Sequence, residues 1–180
     1  MRNMGGLRKY MPTTFWVFII ATLSITGIPF LSGFFSKDEI LWRAYQHGDL
    51  GKFLWFLGTV AALLTAFYSW RLIYMTFHGK FRGTPEQEKH LHESQPVITV
   101  PLWCLAIGAV FAGYVGVPPI FVEHGDMIGE FLAPVLGHAK GHGTHAEEYF
   151  VIGISVFVAV AGLFIAYIMY IKNKDLPHPR

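Results

Sequence analysis

Charge is what this chain has least of. Only 14% of its 180 residues are Asp, Glu, Lys or Arg, against 53% hydrophobic and 16% aromatic, which excludes an ordinary soluble domain of this length. The mean hydropathy of +0.41 points the same way, to a membrane. Cysteine is nearly absent. Cys104 is the single one, so there is no intrachain disulfide and no cysteine cluster to hold iron–sulfur. No dinucleotide-binding glycine pattern occurs. A net charge of +2, with no basic run interleaved with aromatics, argues against a nucleic-acid partner. Nor does the N-terminal region read as a secretory signal, because its apolar stretch is too long, contains Pro29 and lacks a small-residue cleavage site.

What the chain does have is long uncharged runs: 10–36, 53–70, 72–79, 94–122 and 149–171, with Arg71 alone interrupting the second region. Crossing ~30 Å of hydrocarbon takes about 20 apolar residues, so an all-α membrane protein with about four transmembrane helices is expected. The first is discontinuous over 13–45; the others run over 53–77, 97–117 and 149–171, with a His/Gly-rich loop at 118–148. The last span is the plainest, with Ser155 as its only hydroxyl besides tyrosines. Nine basic residues flank the spans on one side: Arg2, Arg8, Lys9, Lys80, Arg82, Lys89, Lys172, Lys174 and Arg180. The other side holds Arg43, Lys52, Lys140 and, if exposed, Lys37. The positive-inside rule then makes both termini cytoplasmic, with a bacterial inner membrane as the expected location.

In the 118–148 loop, His138, His142 and His145 have spacings that would meet a metal on a helix, but Gly137, Gly141 and Gly143 argue against a helix there and no thiolate is at hand. No metal site is expected. A solvated loop with titratable histidines is the reading, with 120–136 able to form an amphipathic helix on the membrane surface.

The informative stretch is 27–41, Gly-Ile-Pro-Phe-Leu-Ser-Gly-Phe-Phe-Ser-Lys-Asp-Glu-Ile-Leu. An unbroken helix from 13 to 45 would be about 50 Å long, well beyond the hydrocarbon thickness. Pro29, bracketed by Gly27 and Gly33, puts a break around 27–35. Ser36 to Glu39 then fits the S-x-x-E capping box, so a new helix is expected to start at Ser36. Two accounts are open. In one the membrane ends near Phe35 and Lys37, Asp38 and Glu39 are solvated. In the other the helix breaks within the bilayer, Lys37 stands beside unwound backbone as a proton-relay candidate, and Asp38 and Glu39 tune it. Arg71 is the second candidate, as a snorkelling anchor or as a fixed charge that tunes a neighbour, with hydroxyls of Thr65, Tyr68 and Ser69 in helical reach.

The 27–41 motif, preceded by Met-Gly-Gly-Leu-Arg-Lys-x-Met-Pro at 4–12, resembles the late part of the antiporter-like proton-pumping subunit of respiratory complex I, NADH-quinone oxidoreductase. That subunit is called L in bacteria and 5 in organelles. The likeness continues through Tyr-Ser-Trp-Arg-Leu-Ile-Tyr-Met-Thr-Phe-His-Gly at 68–79 and His-Glu-Ser-Gln-Pro-Val-Ile-Thr-Val-Pro-Leu at 92–102, and covers nearly the whole chain in order. The first motif is specific; the others add mostly by their order. The family usually has Pro directly after His-Glu-Ser and Met three residues later, where this chain has Gln95 and Ile98, and the 118–148 loop matches poorly. The resemblance implies that the chain is a C-terminal fragment, corresponding to the twelfth to fifteenth transmembrane helices of an antiporter-like bundle. It further implies that Lys37 is the relay lysine, Asp38 its adjacent acid and Arg71 a recurrent arginine. It implies no redox centre in this chain, with NADH, FMN, iron–sulfur clusters and quinone held by partner subunits, and other complex I membrane-arm subunits and the lipid bilayer as partners. A cation/proton antiporter subunit and the membrane subunit of an energy-converting hydrogenase share that fold and stay open as alternatives. So does a structural bundle whose charges only anchor its ends.

Overall fold

A computed structural model describes residues 1, 3–118, 120–122, 125–136 and 144–172. Among them no strand forms, and the architecture is that of an all-α membrane protein. Helix α1 is Pro12–Thr26, α2 Ser32–Tyr45, α3 Gly48–Phe77, α4 Pro85–Lys89, α5 Pro96–Phe111, α6 Met127–Leu136 and α7 His145–Tyr167. Among the described residues, three helical stretches are long and apolar enough to cross a membrane: Gly48–Phe77, Pro96–Val115 and His145–Lys172. Pro12–Thr26 is a shorter apolar helix. Proline opens α1, α4 and α5, where its missing N–H would have had no helical partner.

Helix α1 stops because Gly27 takes the left-handed conformation, φ 78°. Its N–H donates to the Ser24 carbonyl, and the Ile28 N–H donates to that of Leu23, the paired bonds of a Schellman cap. Pro29 follows, and Phe30 also turns left-handed, φ 71°, a conformation uncommon for a residue with a Cβ. The chain thus reverses enough for α2 to begin beside the last turn of α1. A Cβ on Gly33 would overlap the Ser24 carbonyl, so only glycine permits this approach.

The restart differs from the expectation of a capping box at Ser36. Helix α2 begins a turn earlier, at Ser32, after an extended Leu31 with no side-chain cap of its own. Ser36 instead donates to the Ser32 carbonyl and Glu39 pairs with Arg43. The reason lies in the neighbouring helices. Ser24 of α1 accepts from the Gly33 N–H at 3.3 Å, and both Ser24 and Ser32 hydroxyls donate to the Ala109 carbonyl of α5. Ala109 lies in the last turn of α5, where helix carbonyls run out of intrahelical donors.

Helices α3 and α7 pack through small residues. A Cβ on Gly162 would come within 2.6 Å of the Ala66 Cβ, so the backbones approach more closely than larger residues would allow. Leu7, Phe15, Trp70, Ile73, Phe77 and Ala166 form one buried cluster at the end where α1 starts and α3 finishes. Two smaller clusters join α2 to α7, around Phe34, Phe35 and Val117 and around Leu41, Trp42 and Val151. The outer faces of α3 and α5 are apolar and uncovered, from Phe53 to Leu64 and from Val97 to Phe111. In water such faces would be untenable; in a bilayer they need nothing more.

In the 118–148 connection, α6 covers only Met127–Leu136, preceded by a turn at 120–121. It exposes Met127, Ile128, Phe131 and Val135. His138 and His142 lie outside the described residues, so the grouping considered for them with His145 does too.

Candidate functional site

Lys37 is the pivot of the break. In α2 it sits about a turn and a half after the restart and leans back over the end of α1, where its ammonium donates to the Thr26 carbonyl at 3.0 Å. Thr26 is the last residue of α1, so this carbonyl is one of the orphan acceptors at the negative pole of a helix dipole. The Thr26 hydroxyl donates to Thr22 and Leu23 carbonyls, closing off the adjacent acceptors. Gly27 leaves the room: a Cβ there would collide with the Lys37 ammonium. The lysine is thus fixed by a sequence-distant carbonyl and by the absence of a side chain.

Asp38, the next residue, turns another way. One residue of helix rotates the side chain by about 100°, enough to direct Asp38 at α7 instead of α1. It is 4% exposed, and its Oδ1 accepts from the Ser155 hydroxyl at 2.5 Å. Its Oδ2 is buried without a hydrogen-bond partner among the described residues. No ion pair joins Asp38 to Lys37 among the described residues. A narrow crevice beside it is lined by Asp38, Glu39, Trp42, Phe121 and Glu148.

Glu39 lies a further step round α2 and accepts from Arg43 at 2.6 Å, one turn along the same helix. That is the i, i+4 pairing of a partly exposed helix face. Arg71 stands apart. Its guanidinium lies 5.6 Å from the Tyr170 ring centroid, a cation–π distance, and its Nε is buried without a partner. No hydrogen bond or ion pair joins Arg71 to Lys37, Asp38 or Glu39 among the described residues. The neighbouring hydroxyls do not gather around it either. Thr65 donates to the Ala61 carbonyl of its own helix, and Tyr68 is exposed.

The structure therefore brings Lys37, Asp38 and Glu39 to one segment while sending their side chains to three different surroundings. Sequence reasoning missed Ser155 as a partner. Its signal was present, since it is the only serine or threonine in 149–171 and a lone hydroxyl in an apolar helix needs an acceptor. Glu148 falls at the end of the 118–148 stretch expected as a solvated loop, but it lies on the first turn of α7 and borders the crevice with Asp38.

Comparison with known proteins bears on what such a break belongs to. Residues 1–65 match the family model described as NADH:quinone oxidoreductase/Mrp antiporter, TM. The chain is 40% identical to NAD(P)H-quinone oxidoreductase chain 5 of Picosynechococcus sp., over 98% of this chain and 29% of that protein. It is 44% identical to NADH-quinone oxidoreductase subunit L of Rhodobacter capsulatus, over 78% of this chain and 21% of that protein. A third relative, the chloroplastic subunit 5 of Mesostigma viride, is 37% identical over 97% of this chain and 26% of its own length. The chain thus spans less than a third of the length of the curated relatives it matches. With its broken, lysine-bearing helix lying inside the matched segment, this integral membrane chain belongs to the NADH:quinone oxidoreductase/Mrp antiporter transmembrane family, alongside the proteins named subunit L and chain 5.

Proposed function

We propose that this chain is part of a proton-translocating membrane-arm subunit of NADH-quinone oxidoreductase, coupling electron transfer from NADH to quinone to proton movement. One observation carries the reading: an ionisable lysine seated on the terminal carbonyl of a helix broken between two apolar segments. Unwound backbone and ionisable groups are tolerated at membrane depth where they line a protein-bounded path for an ion or proton. In this reading Lys37 takes and releases the proton and Asp38 is its companion acid. Glu39, paired with Arg43, tunes the local field, and Arg71, which does not deprotonate in proteins, is a fixed positive charge further along the bundle. The relatives' printed names support the electron-transfer partner chemistry. NADH, FMN, iron–sulfur clusters and quinone then belong to other subunits, and this chain's own residues handle the proton alone. Its neighbours are other membrane-arm subunits and lipid, in a bacterial inner membrane with both termini cytoplasmic.

The family description also names Mrp antiporters, which keeps a cation/proton antiporter subunit as the second reading. An energy-converting hydrogenase membrane subunit falls in the same class. Lys37→Ala in the full-length subunit, within the assembled complex, separates relay from scaffold. Proton translocation driven by NADH oxidation is expected to fall by ~100-fold or more, in the range for loss of a positioned proton-transfer group. Normal pumping by a normally assembled variant would overturn the relay role. Loss of sodium/proton exchange, with no NADH-driven pumping in either protein, would favour the antiporter reading.

A further inference from the structure

Ser155 has an unusual place for a serine in an apolar membrane helix. It is 2% exposed, and its hydroxyl donates to a carboxylate on another helix, not to a carbonyl one turn back in its own. The 2.5 Å separation is the length of a charge-assisted O–H···O⁻ bond. Apolar groups flank the pair on both sides. Phe34, Phe35, Ile152 and Val156 close one side of the α2–α7 seam, and Leu41, Trp42 and Val151 close the other. Thus Ser155 joins Asp38 to α7, while Lys37, one residue earlier, reaches α1.

The consequence is that two charges adjacent in the chain, set about 100° apart by the helix, are each fixed to a different neighbouring helix. In surroundings of low dielectric an ammonium and a carboxylate in contact attract strongly, and a proton on a lysine so paired is hard to release. The Ser155 hydroxyl gives the carboxylate a different, neutral partner and holds it on the α7 side. Among the described residues Oδ2 has no partner, so Asp38 keeps an unused acceptor, and it lines the crevice with Glu39 and Glu148.

We propose that Ser155 is a positioning residue for the relay: by holding Asp38 on α7, it keeps the carboxylate from closing a direct ion pair with Lys37. This rests on the relay reading above and adds to it a residue from a different helix. Without the hydroxyl, Asp38 swings to its neighbour and the proton is trapped between them.

The test uses the full-length subunit in the assembled complex, reconstituted in vesicles, with protons translocated per electron and quinone reduction both measured. Ser155→Ala, smaller than the native residue and compatible with a helix, is expected to lower protons per electron about 10-fold or more, the scale of one hydrogen bond to a charged group. Ser155→Thr, which keeps the hydroxyl, is expected to pump as the native protein does. Asp38→Asn with Ser155→Ala is expected to match Asp38→Asn alone, because Ser155 acts only through Asp38. Native pumping by Ser155→Ala, failure of Ser155→Thr to pump in a normally assembled complex, or a further loss on adding Ser155→Ala to Asp38→Asn would each overturn the proposal. A Lys37→Ala arm separates the two ideas. If it impairs pumping while Ser155→Ala does not, only the positioning role fails; if Lys37→Ala pumps normally, the relay reading itself is lost.

Discussion

Lys37, Asp38 and Glu39 follow one another in the chain, yet each answers to a different part of the molecule: the α1 terminus, the α7 seam and the α2 surface. Helical geometry starts the divergence, since successive side chains point about 100° apart, and the Thr26 carbonyl and Ser155 hydroxyl fix it for Lys37 and Asp38. Glu93 shows the same dependence on distant partners outside the membrane. Its carboxylate accepts from the N–H groups of Thr13 and Thr14 and from the Thr14 hydroxyl, and so caps α1 from the 78–95 connection. Partial burial opposes its charge, but these bonds outweigh that effect and hold the Glu93 carboxyl below its usual value. A depressed carboxylate contributes stability that is intact above its unfolded-state pKa and disappears as pH falls through the lowered folded value. Glu93→Gln is therefore expected to cost about 1 kcal/mol near neutral pH, as loss of a helix cap does. Thermal melting of the detergent-solubilised protein would show it, with the gap between variant and native protein closing in acid. A constant gap at all pH values would contradict the charged-cap account.

At the scale of the element, glycine decides where helices meet. Gly153 and Gly162 both lie in α7, but a Cβ at Gly153 meets nothing within 4 Å, whereas at Gly162 it meets Ala66 at 2.6 Å. Gly162→Ala is expected to push α3 from α7 and destabilise the bundle by about 1–3 kcal/mol, the usual cost of overpacking. Gly153→Ala is expected to be neutral or slightly stabilising, since alanine is the better helix former. Melting temperatures of the two variants make the comparison, and equal behaviour would refute close α3–α7 packing. Sequence pattern could place both glycines on an apolar helix. It could not tell them apart, because each is flanked by similar residues and the difference lies wholly on the neighbouring helix.

For the whole molecule, contacts gather the basic flanks at one end. The Gly6 N–H donates to His78, Arg82 donates to the Met4 and Met75 carbonyls, and the Leu7–Phe77–Ala166 cluster ties in the end of α7. Arg8, Lys9, Lys80, Arg82, Lys89 and Lys172 thereby share a side, and positive charge retained on the cytoplasmic face makes that side the expected interior one. In a full-length protein with Cys104→Ser, a maleimide that cannot cross membranes is expected to label Lys89→Cys from the cytoplasmic face and Asp49→Cys from the opposite face. The reverse pattern would invert the proposed orientation.

The sequence by itself determined that this chain is helical, that it lives in a membrane, and that its first apolar segment breaks near Pro29. These follow from local physics: uncharged runs of spanning length, and a residue that cannot donate its backbone hydrogen bond. The family resemblance was equally legible, because the 27–41 motif is contiguous. Only the tertiary structure decided where the second half-helix starts and what each charge faces. Ser24 and Ala109 anchor the restart at Ser32, overriding the local S-x-x-E signal four residues later. Thr26 and Ser155 divide Lys37 from Asp38. In both cases the deciding partner is distant in the chain, and a buried polar group is governed by whichever partner packing brings within reach.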